Sequence, residues 1–267
     1  MSYELKITTE QQASHDRSTK LRLRDAWDAI RRSTANPDDT AQVIRFIGAV
    51  AGKSPDRTMK RFIATPHGGE ILERQRSLLD VLMDREPLYA LAEGTLGRTY
   101  ADWTDREQIS AAGLKAESEA ASAGAPVDEG PFSVLGARLR DMHDLMHVVT
   151  GYGRDLAGEI GLLTFTYAQT RHRGIGLIVL IGYLRSFFVR SGVAEGESAS
   201  AGRLTRSQFL VGLRRGRKAK WIVGADWEAL LKMPLDDVRR LYNIDAPPVY
   251  QAVRSVGAPV LDDAITG

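Results

Sequence analysis

Hydrophobic positions recur at helical spacing along almost the whole chain. In Leu21–Arg32, for example, apolar side chains stand at positions 23, 26, 27 and 30, with charged side chains between them. That period is typical of an amphipathic helix. Similar patterns continue to residue 242, and the sequence has no alternating run of useful length that would predict a β-strand. The pattern therefore predicts an all-α fold of about ten helices.

Two breaks and a polar leader divide this pattern. Residues 121–131 and 191–202 have the small, polar and glycine-rich composition of loops. Residues 1–20 carry no apolar run, so we expect a disordered leader and no secretory signal. Residues 21–267 are expected to form a single helical domain.

The most apolar stretch, Gly174–Leu184, begins a helical pattern that continues to residue 189. A helix that spans a bilayer needs roughly 20 apolar residues, so this stretch is too short. Two interpretations remain open: a helix of the central core, or a wall that accommodates a greasy ligand or a membrane surface.

The composition excludes several classes of site. The chain has 267 residues and no cysteine, which excludes disulfides, zinc fingers, iron–sulfur clusters and thiol nucleophiles. Any metal ion must be held by His, Asp, Glu or backbone groups. A net charge of only +2 argues against a dedicated nucleic-acid binder. The absence of cysteine is most simply explained by a reducing cytoplasm.

Candidate chemistry is concentrated in one predicted helix. His143 and His147 are four residues apart, and Asp144 follows the first of them. With about 100° per residue, the three side chains share one arc beside an apolar face of the same helix. Two histidines at this spacing can bind one divalent ion.

Such a site needs a further oxygen ligand, and Glu159 is the candidate. On an unbroken helix it would lie about 18 Å from His147 along the axis. The sequence Thr150-Gly-Tyr-Gly153 breaks that helix, however, and its glycines permit a sharp reversal. We therefore expect an antiparallel helix pair that brings Glu159 back to the histidines, with Asp155 as a helix cap.

Two alternatives stay open from the residues alone. The histidine pair could be incidental on an ordinary helix, in a structural domain without a metal. A protease of the zincin type would have His-Glu-x-x-His with Glu as general base, and this sequence has the shorter Asp144 at that position.

The motif His-Asp-x-x-His, followed by eleven residues and Glu, resembles the defining motif of the Coq-four family of ubiquinone-biosynthesis proteins. The stretch HDLMHVVTGYGRDLAGEIGLLTFTYAQ is similar to its bacterial branch. LAEGTLGRTYADW and GLKAESEA resemble its middle section, and GRKAK with ADWEALLKMPLDDVRRLYNIDAPPVYQ resembles its C-terminal end. The resemblance covers most of the chain but not its first twenty residues.

The resemblance implies a mostly helical fold and a divalent metal, usually zinc. Carried over residue by residue, it implies these metal ligands and catalytic residues: His143, Asp144, His147 and Glu159. It further implies polyprenylated aromatic precursors of coenzyme Q as substrates. The reaction implied is loss of the ring carboxylate and hydroxylation of the carbon that carried it. It also implies a role in organising other quinone-biosynthesis proteins. We therefore expect a metal-dependent decarboxylase, with a non-catalytic lipid-binding scaffold as the alternative.

Further residues are hypotheses within this function. Arg140 could bind the substrate carboxylate, although a solvated arginine explains it equally well. Tyr183 and Phe187 could line an apolar channel for the isoprenoid tail. A zinc-like ion cannot activate oxygen by itself, so hydroxylation would need iron, another redox metal or another protein.

One basic segment suggests a location. Residues 203–220 hold seven Lys or Arg and no acid, with apolar side chains interleaved. Such a segment suits an anionic membrane surface, and a solvated basic face is the alternative. We expect a cytoplasmic protein peripherally associated with the inner membrane, with prenylated aromatic lipids and quinone-biosynthesis proteins as partners. Nucleic acid is not expected, and a homodimer is left open.

Overall fold

A computed structural model describes residues 7–35, 40–126, 128–187, 195–245 and 248. In these ranges it has fifteen α-helices, one 3-10 helix (Ile222–Gly224) and no β-strand, so the all-α prediction is confirmed. The first eight helices are Thr9–Ser18 (α1), Leu23–Ala35 (α2), Thr40–Ala49 (α3), Ser54–Ile63 (α4), Gly68–Glu73 (α5), Leu78–Met83 (α6), Arg85–Tyr89 (α7) and Leu96–Arg106 (α8). The others are Ala111–Ser122 (α9), Pro131–Thr150 (α10), Leu156–Thr170 (α11), Arg173–Arg185 (α12), Glu195–Lys218 (α13), Trp227–Leu230 (α14) and Leu235–Tyr242 (α15).

The structure divides the helical pattern more finely than the sequence does. Residues 71–83 look like one helix in the sequence, but α5 ends at Glu73 and α6 begins at Leu78. Between them Gln75 adopts a positive φ of 49°, and the Ser77 hydroxyl accepts a hydrogen bond from the Asp80 amide at 3.2 Å. A serine cap starts a new helix while the apolar period continues across the turn.

The leader differs from the expectation over its described part. Residues 9–18 form α1, which starts at a capping box: the Thr8 hydroxyl and the Gln11 side chain each bond the other's backbone amide. His15 then holds α1 on the fold, buried to 1% exposure and stacked 3.5 Å from the Phe132 ring. Its ring nitrogens lie 2.7 Å from Asp56 and 2.9 Å from Asp128. Residues 1–6 lie outside the described residues.

The second expected loop, residues 191–202, overlaps a helix. Helix α13 begins at Glu195, and residues 191–194 lie outside the described ranges. The small residues after Glu195 are compatible with a helix, and Gly202 lets α13 approach α12, since a Cβ there would lie 2.6 Å from the Ser186 carbonyl oxygen.

Three buried clusters hold the helices together. The largest joins α6, α8, α10, α11, α14 and α15, with Tyr100, Leu145 and Trp227 at 1% exposure or less. A second joins α4, α5 and the start of α10. A third joins α2 and α3 and packs against Leu177, Ile178 and Ile181 of α12. Helix α10 thus takes part in two clusters, which fixes the helix that carries the histidines.

Helices α11 and α13 approach each other unusually closely. A Cβ at Gly212 would lie 2.3 Å from the Gly161 carbonyl oxygen, and one at Gly216 would lie 2.6 Å from that of Phe165. Positions 212 and 216 therefore have no room for a side chain larger than the hydrogen of glycine. The contact sets the position of α11, which carries Glu159. Among the described residues, no helix is both long enough and apolar enough to cross a bilayer.

Candidate metal centre

The site begins at the C-terminal end of α10. Gly151 ends this helix in the left-handed conformation (φ 73°) and donates its amide to the His147 carbonyl at 2.8 Å. After the turn, the Asp155 carboxylate caps α11 by accepting hydrogen bonds from the amides of Ala157 and Gly158 at 3.1 and 3.3 Å. The reversal expected from the two glycines and Asp155 is therefore present, and it places Glu159 in the first turn of α11.

Two arginines satisfy the last carbonyls of α10. Arg239 of α15 donates to the carbonyls of Val149 and Val148 at 3.0 and 3.1 Å. Arg215 of α13 donates to that of Thr150 at 2.7 Å. These groups have no partner within a helix, and cations are favourable at this negative end. The arginines therefore fix the end of the helix next to His147.

The three nitrogen and oxygen donors converge in one place. The Nε2 atoms of His143 and His147 lie 3.2 Å apart. Oε1 of Glu159 lies 3.3 Å from Nε2 of His147, and Oε2 lies 3.8 Å from Nε2 of His143. Asp144 joins the two histidines in a group whose candidate ligand atoms lie within 4.8 Å of one another. His143, Asp144 and His147 thus form one group, and Glu159 lies beside both histidine rings.

This donor set fits a divalent ion. A tetrahedral ion with bonds of about 2.0–2.1 Å separates its ligand atoms by about 3.3–3.4 Å. The observed distances of 3.2 and 3.3 Å around His147 Nε2 are close to that spacing. Imidazole nitrogens with carboxylate oxygens suit zinc and also iron and other divalent ions, so the geometry does not select the element.

His147 is oriented by a backbone group. Its Nδ1 lies 2.9 Å from the Tyr152 carbonyl oxygen, which can only accept, so Nδ1 carries the proton and donates. Its Nε2 then faces His143 and Glu159, as is usual for a histidine that binds a metal. The Trp103 ring stacks on the imidazole with a centroid distance of 5.5 Å, and the side chain is fully buried.

The pKa values of His143, His147 and Glu159 are shifted by burial and by their mutual interactions. Burial and the neighbouring His147 lower the pKa of His143. Burial alone would lower the pKa of His147, but the charge of Glu159 and its hydrogen bond raise it. Burial would raise the pKa of Glu159, and the interaction with His147 outweighs this and lowers it. Glu159 is therefore held as a carboxylate, which is the form that binds a cation.

Asp144 lies deeper than the other acid of the site. It is 6% exposed, whereas the Glu159 side chain is 32% exposed. Burial, with the nearby Asp144 charge as the next cause, raises the pKa of the Tyr100 hydroxyl. The candidate metal centre, formed by His143, Asp144, His147 and Glu159, thus has a closed side at Asp144 and an open side at Glu159.

The three substrate candidates have other partners. Arg140 bonds the buried Asp141 through its Nε at 2.7 Å. Tyr183 and Phe187 contact each other at a centroid distance of 5.3 Å, and Tyr183 packs 4.6 Å from Phe209 of α13. Their roles toward a substrate stay predictions.

Several contributors to the site were missed by sequence reasoning. The Tyr152 carbonyl is a backbone group, and Trp103 and Arg239 are distant in sequence from the motif. Arg154 follows the glycine turn, is exposed, and adds a positive charge that acts on both His143 and Glu159. Its place between the two halves of the motif is the one signal that could have identified it.

Several cations of the basic segment, residues 203–220, have partners within the protein. Arg215 is buried against Thr150. Arg206 donates to the Ser186 carbonyl at 2.8 Å and lies 4.5 Å from the centroid of the Phe187 ring. Lys218 pairs with Asp245 at 2.6 Å. Fewer cations of residues 203–220 are therefore available to a membrane than the sequence indicates.

Comparison with known proteins places the chain among quinone-biosynthesis proteins. The family model described as "Coenzyme Q (ubiquinone) biosynthesis protein Coq4" matches residues 23–248. This range includes the whole candidate metal centre and all helices from α2 to α15.

Individual relatives agree with the family match. A mitochondrial ubiquinone biosynthesis protein of Aspergillus clavatus is 28% identical over 200 residues, covering 75% of this chain and 64% of that protein. One of Neurospora crassa is 27% identical over 198 residues, covering 74% and 52%. The matched part of this chain thus spans about half to two thirds of the length of these relatives.

A solved structure shares the fold. The crystal structure of a Nostoc punctiforme protein assigned to ubiquinone biosynthesis superposes with a TM-score of 0.60 at 18% identity. The superposition covers 85% of this chain and 100% of that one. At this identity the likeness concerns the helical architecture alone.

Proposed function

This chain belongs to the Coq4 family of coenzyme Q (ubiquinone) biosynthesis proteins, and from that premise we propose that it is a metal-dependent decarboxylase. Its substrate would be a polyprenylated hydroxybenzoate. The observation that carries the proposal is the convergence of His143, His147 and Glu159, whose donor atoms lie 3.2–3.8 Å apart.

The ligands of the ion would be His143, Asp144, His147 and Glu159. When bound, the ion would supply Lewis-acid chemistry toward the carboxylate and phenol oxygens of the substrate. The structure supports an approach from one side, since His143 and Glu159 are 30% and 32% exposed whereas His147 is fully buried.

The reaction balances without an oxidant. The bond between the ring carbon and the carboxyl carbon breaks, carbon dioxide leaves, and the electron pair stays on the ring carbon. A proton from water then takes the vacant position, delivered at the open side of the site. Hydroxylation of that carbon would need an electron acceptor and a redox metal or a second protein.

The substrate needs groups beyond the ion. Arg154, next to the site, is a candidate for the substrate carboxylate, as is Arg140 once its bond to Asp141 is released. Tyr183 of α12 and Phe187, just after that helix, would contact the isoprenoid tail. The place of action would be the cytoplasmic face of the inner membrane, beside other quinone-biosynthesis proteins.

The second candidate is a non-catalytic scaffold that presents prenylated intermediates to other enzymes. It is favoured by exposed apolar side chains on α12, directly after it and on α13, namely Leu180, Leu184, Phe187 and Leu210. A scaffold would depend on these side chains and not on the donor set of the candidate metal centre.

Metal content and activity, measured on the same variant, separate the two candidates. We expect His147→Ala to lose bound metal by elemental analysis and to fail to restore quinone synthesis in a strain that lacks the protein, with its helical circular dichroism intact. Loss of a ligand removes an imidazole that no neighbour can replace.

His67→Ala is the matched control, since His67 is exposed at the start of α5 and its side chain makes no capping bond. It should keep both metal and activity. Restoration of quinone synthesis by His147→Ala without metal would contradict the catalytic proposal and favour the scaffold.

A further inference from the structure

A cavity lies at the corner between α11 and α12, against the start of α4. Its volume is about 760 Å³. The first turns of α4 and α12 both contribute to its lining, so the positive ends of two helices lie there. The corner is fixed by two hydrogen bonds: the Arg173 amide donates to Ser54 Oγ at 2.9 Å, and Arg57 donates to the Arg171 carbonyl at 3.2 Å.

The lining is strongly basic. Five cationic side chains face the cavity: Lys53, Arg57, Lys60, Arg171 and Arg173. All five are exposed. The acid in the lining, Asp56, already lies 2.7 Å from Nε2 of His15. The lining residues thus include five cations but one acid. This excess of positive charge makes the cavity complementary to an anion.

One side of the cavity is apolar. Leu177 and Leu180 of α12 belong to the lining, and the stripe continues to Leu184, one turn further. Leu180 and Leu184 are 45% and 51% exposed. Leu21 is also exposed and lies near Arg173. A Cβ built at Gly52 would be within 4 Å of both side chains. A soluble anion would leave these leucines in water, whereas a lipid would cover them.

The cavity lies away from the candidate metal centre. Glu159 stands in the first turn of α11, whereas Tyr167 and Arg171, which line the cavity, stand at its end. At 1.5 Å per residue these positions are about 12 and 18 Å from Glu159 along the axis. The two sites therefore occupy opposite ends of one helix.

We infer that this cavity, the basic cavity at the α11–α12 corner, binds the headgroup of an anionic phospholipid in a bilayer. The cations contact the phosphate, and the exposed Leu180 and Leu184 enter the apolar part of the interface. Cations near an anionic membrane and apolar side chains within it are the two contributions that hold a peripheral protein. Binding of a phospholipid at this cavity depends on charge and apolar surface and needs no metal ion at the candidate metal centre.

Vesicle sedimentation with the full chain tests it. We expect binding to phosphatidylcholine vesicles that contain phosphatidylglycerol, weak binding to phosphatidylcholine alone, and a decrease as salt rises. The triple variant Lys53→Gln/Lys60→Gln/Arg173→Gln should bind at least about tenfold more weakly, since each cation near an anionic surface adds to the affinity. Among the described residues, the two hydrogen bonds that fix the corner use the Arg173 backbone amide and the Arg57 side chain, so these three side chains are not needed for it.

A matched control removes the same charge elsewhere. Arg203→Gln/Arg214→Gln/Arg217→Gln changes three exposed cations of α13, and we expect vesicle binding within about twofold of the original chain. An equal loss in the two triple variants would overturn the cavity as the site, and so would a loss in the α13 variant alone. Binding to neutral vesicles as strong as to anionic ones would do the same.

Two further measurements cover folding and the source of the phosphate. Leu180→Ser alone should weaken binding several-fold, by loss of its apolar contact, while the melting temperature stays that of the original chain. Glycerol phosphate at constant ionic strength should not release the protein from vesicles. Release would assign the cavity to a free phosphate ester and overturn the lipid.

Discussion

His172 illustrates how a single buried ring contributes at a helix end. Its Nδ1 accepts a hydrogen bond from the Ile175 amide at 3.4 Å and so caps α12. Burial, together with the nearby positive charge of Arg57, lowers its pKa to about 4. The ring is therefore neutral near pH 7, and only the neutral ring has the lone pair that makes this cap.

This pKa predicts a pH-dependent stability. The unfolded chain binds a proton at His172 near the ordinary pKa of about 6.5, whereas the folded chain does so only near pH 4. Its contribution is fully present above about pH 6.5 and is lost as pH falls toward 4. Over that whole range the loss is on the order of 3 kcal/mol of unfolding free energy.

His172→Asn keeps a capping side chain that does not titrate. Denaturant unfolding between pH 4 and 6.5 should give the variant a shallower decrease in unfolding free energy than the original chain. Parallel curves for the two proteins would show that His172 is not the group responsible.

At the scale of single residues, the spacing within a short segment was enough to predict the candidate site. Contacts between residues far apart in the chain could not be predicted from the sequence. The pair His143 and His147 with Glu159 could be selected because the whole motif lies within seventeen residues. His15 looked like part of a polar leader, because its partners Asp56 and Asp128 are 41 and 113 residues away. Periodicity within a helix contains no information about such partners.

At the scale of secondary-structure elements, the end of α10 is the part on which the site depends. Its final carbonyls are held from α13 and α15, so the orientation of His147 depends on helices that follow it by more than sixty residues. The glycines of the turn and the Asp155 cap could be predicted from the sequence, since their effect is local. The arginine contacts could not, because nothing in residues 203–240 distinguishes a buried arginine from a solvated one.

Arg239→Met tests this dependence. The carbonyls of Val148 and Val149 would lose a charged donor, and we expect about 1–3 kcal/mol less unfolding free energy. Metal affinity, measured by competition with a chelator, should fall as well, since the helix end that carries His147 becomes less well ordered.

Arg240→Met is the adjacent control. Arg240 is 76% exposed and pairs with Asp237 on the same helix, so its loss should cost less than about 1 kcal/mol and leave metal affinity unchanged. Identical effects of the two substitutions would argue against a positioning role of Arg239.

At the scale of the whole molecule, an ion-pair network joins parts of the chain that are distant in sequence. Arg138 of α10 binds Glu228 of α14 through two hydrogen bonds of 2.8 and 2.9 Å. Arg76, in the turn before α6, lies 3.4 Å from Glu228 and 2.8 Å from Asp226. The Arg138 side chain is only 4% exposed, so this pair is shielded from solvent.

A buried pair of this kind is costly to break from one side. We expect Arg138→Met to lower the unfolding free energy by on the order of 3 kcal/mol, because Arg76, 3.4 Å away, would be the one remaining ion-pair partner of Glu228 among the described residues. Arg138→Lys should recover part of the loss, since an ammonium cannot make both bonds of the guanidinium.

Arg74→Met provides the comparison, since Arg74 is 72% exposed and its ion pair with Glu70 lies on the surface. It should change the unfolding free energy by less than about 1 kcal/mol. If Arg138→Met and Arg74→Met were equally mild, the buried network would not contribute to stability as inferred.

The overall class of the molecule could be predicted from the sequence, but its assembly could not. The period of apolar positions predicted an all-α chain, and the structure confirms it. The division of residues 71–83 into two helices and the start of α13 at Glu195 depend on caps and on packing, which leave little trace in hydropathy. The order in which helices contact one another is likewise set by side chains far apart in the chain.

The close contact between α11 and α13 limits how this sequence can diverge. At Gly212 and Gly216 any side chain would enter the backbone of the facing helix, whereas a Cβ at Gly136 would have no neighbour within 4 Å among the described residues. Position 136 can therefore accept a side chain during evolution. Positions 212 and 216 can accept one only if the two helices move apart. Since α11 carries Glu159, that separation would move a proposed ligand, and inheritance of the two glycines becomes tied to inheritance of the candidate metal centre.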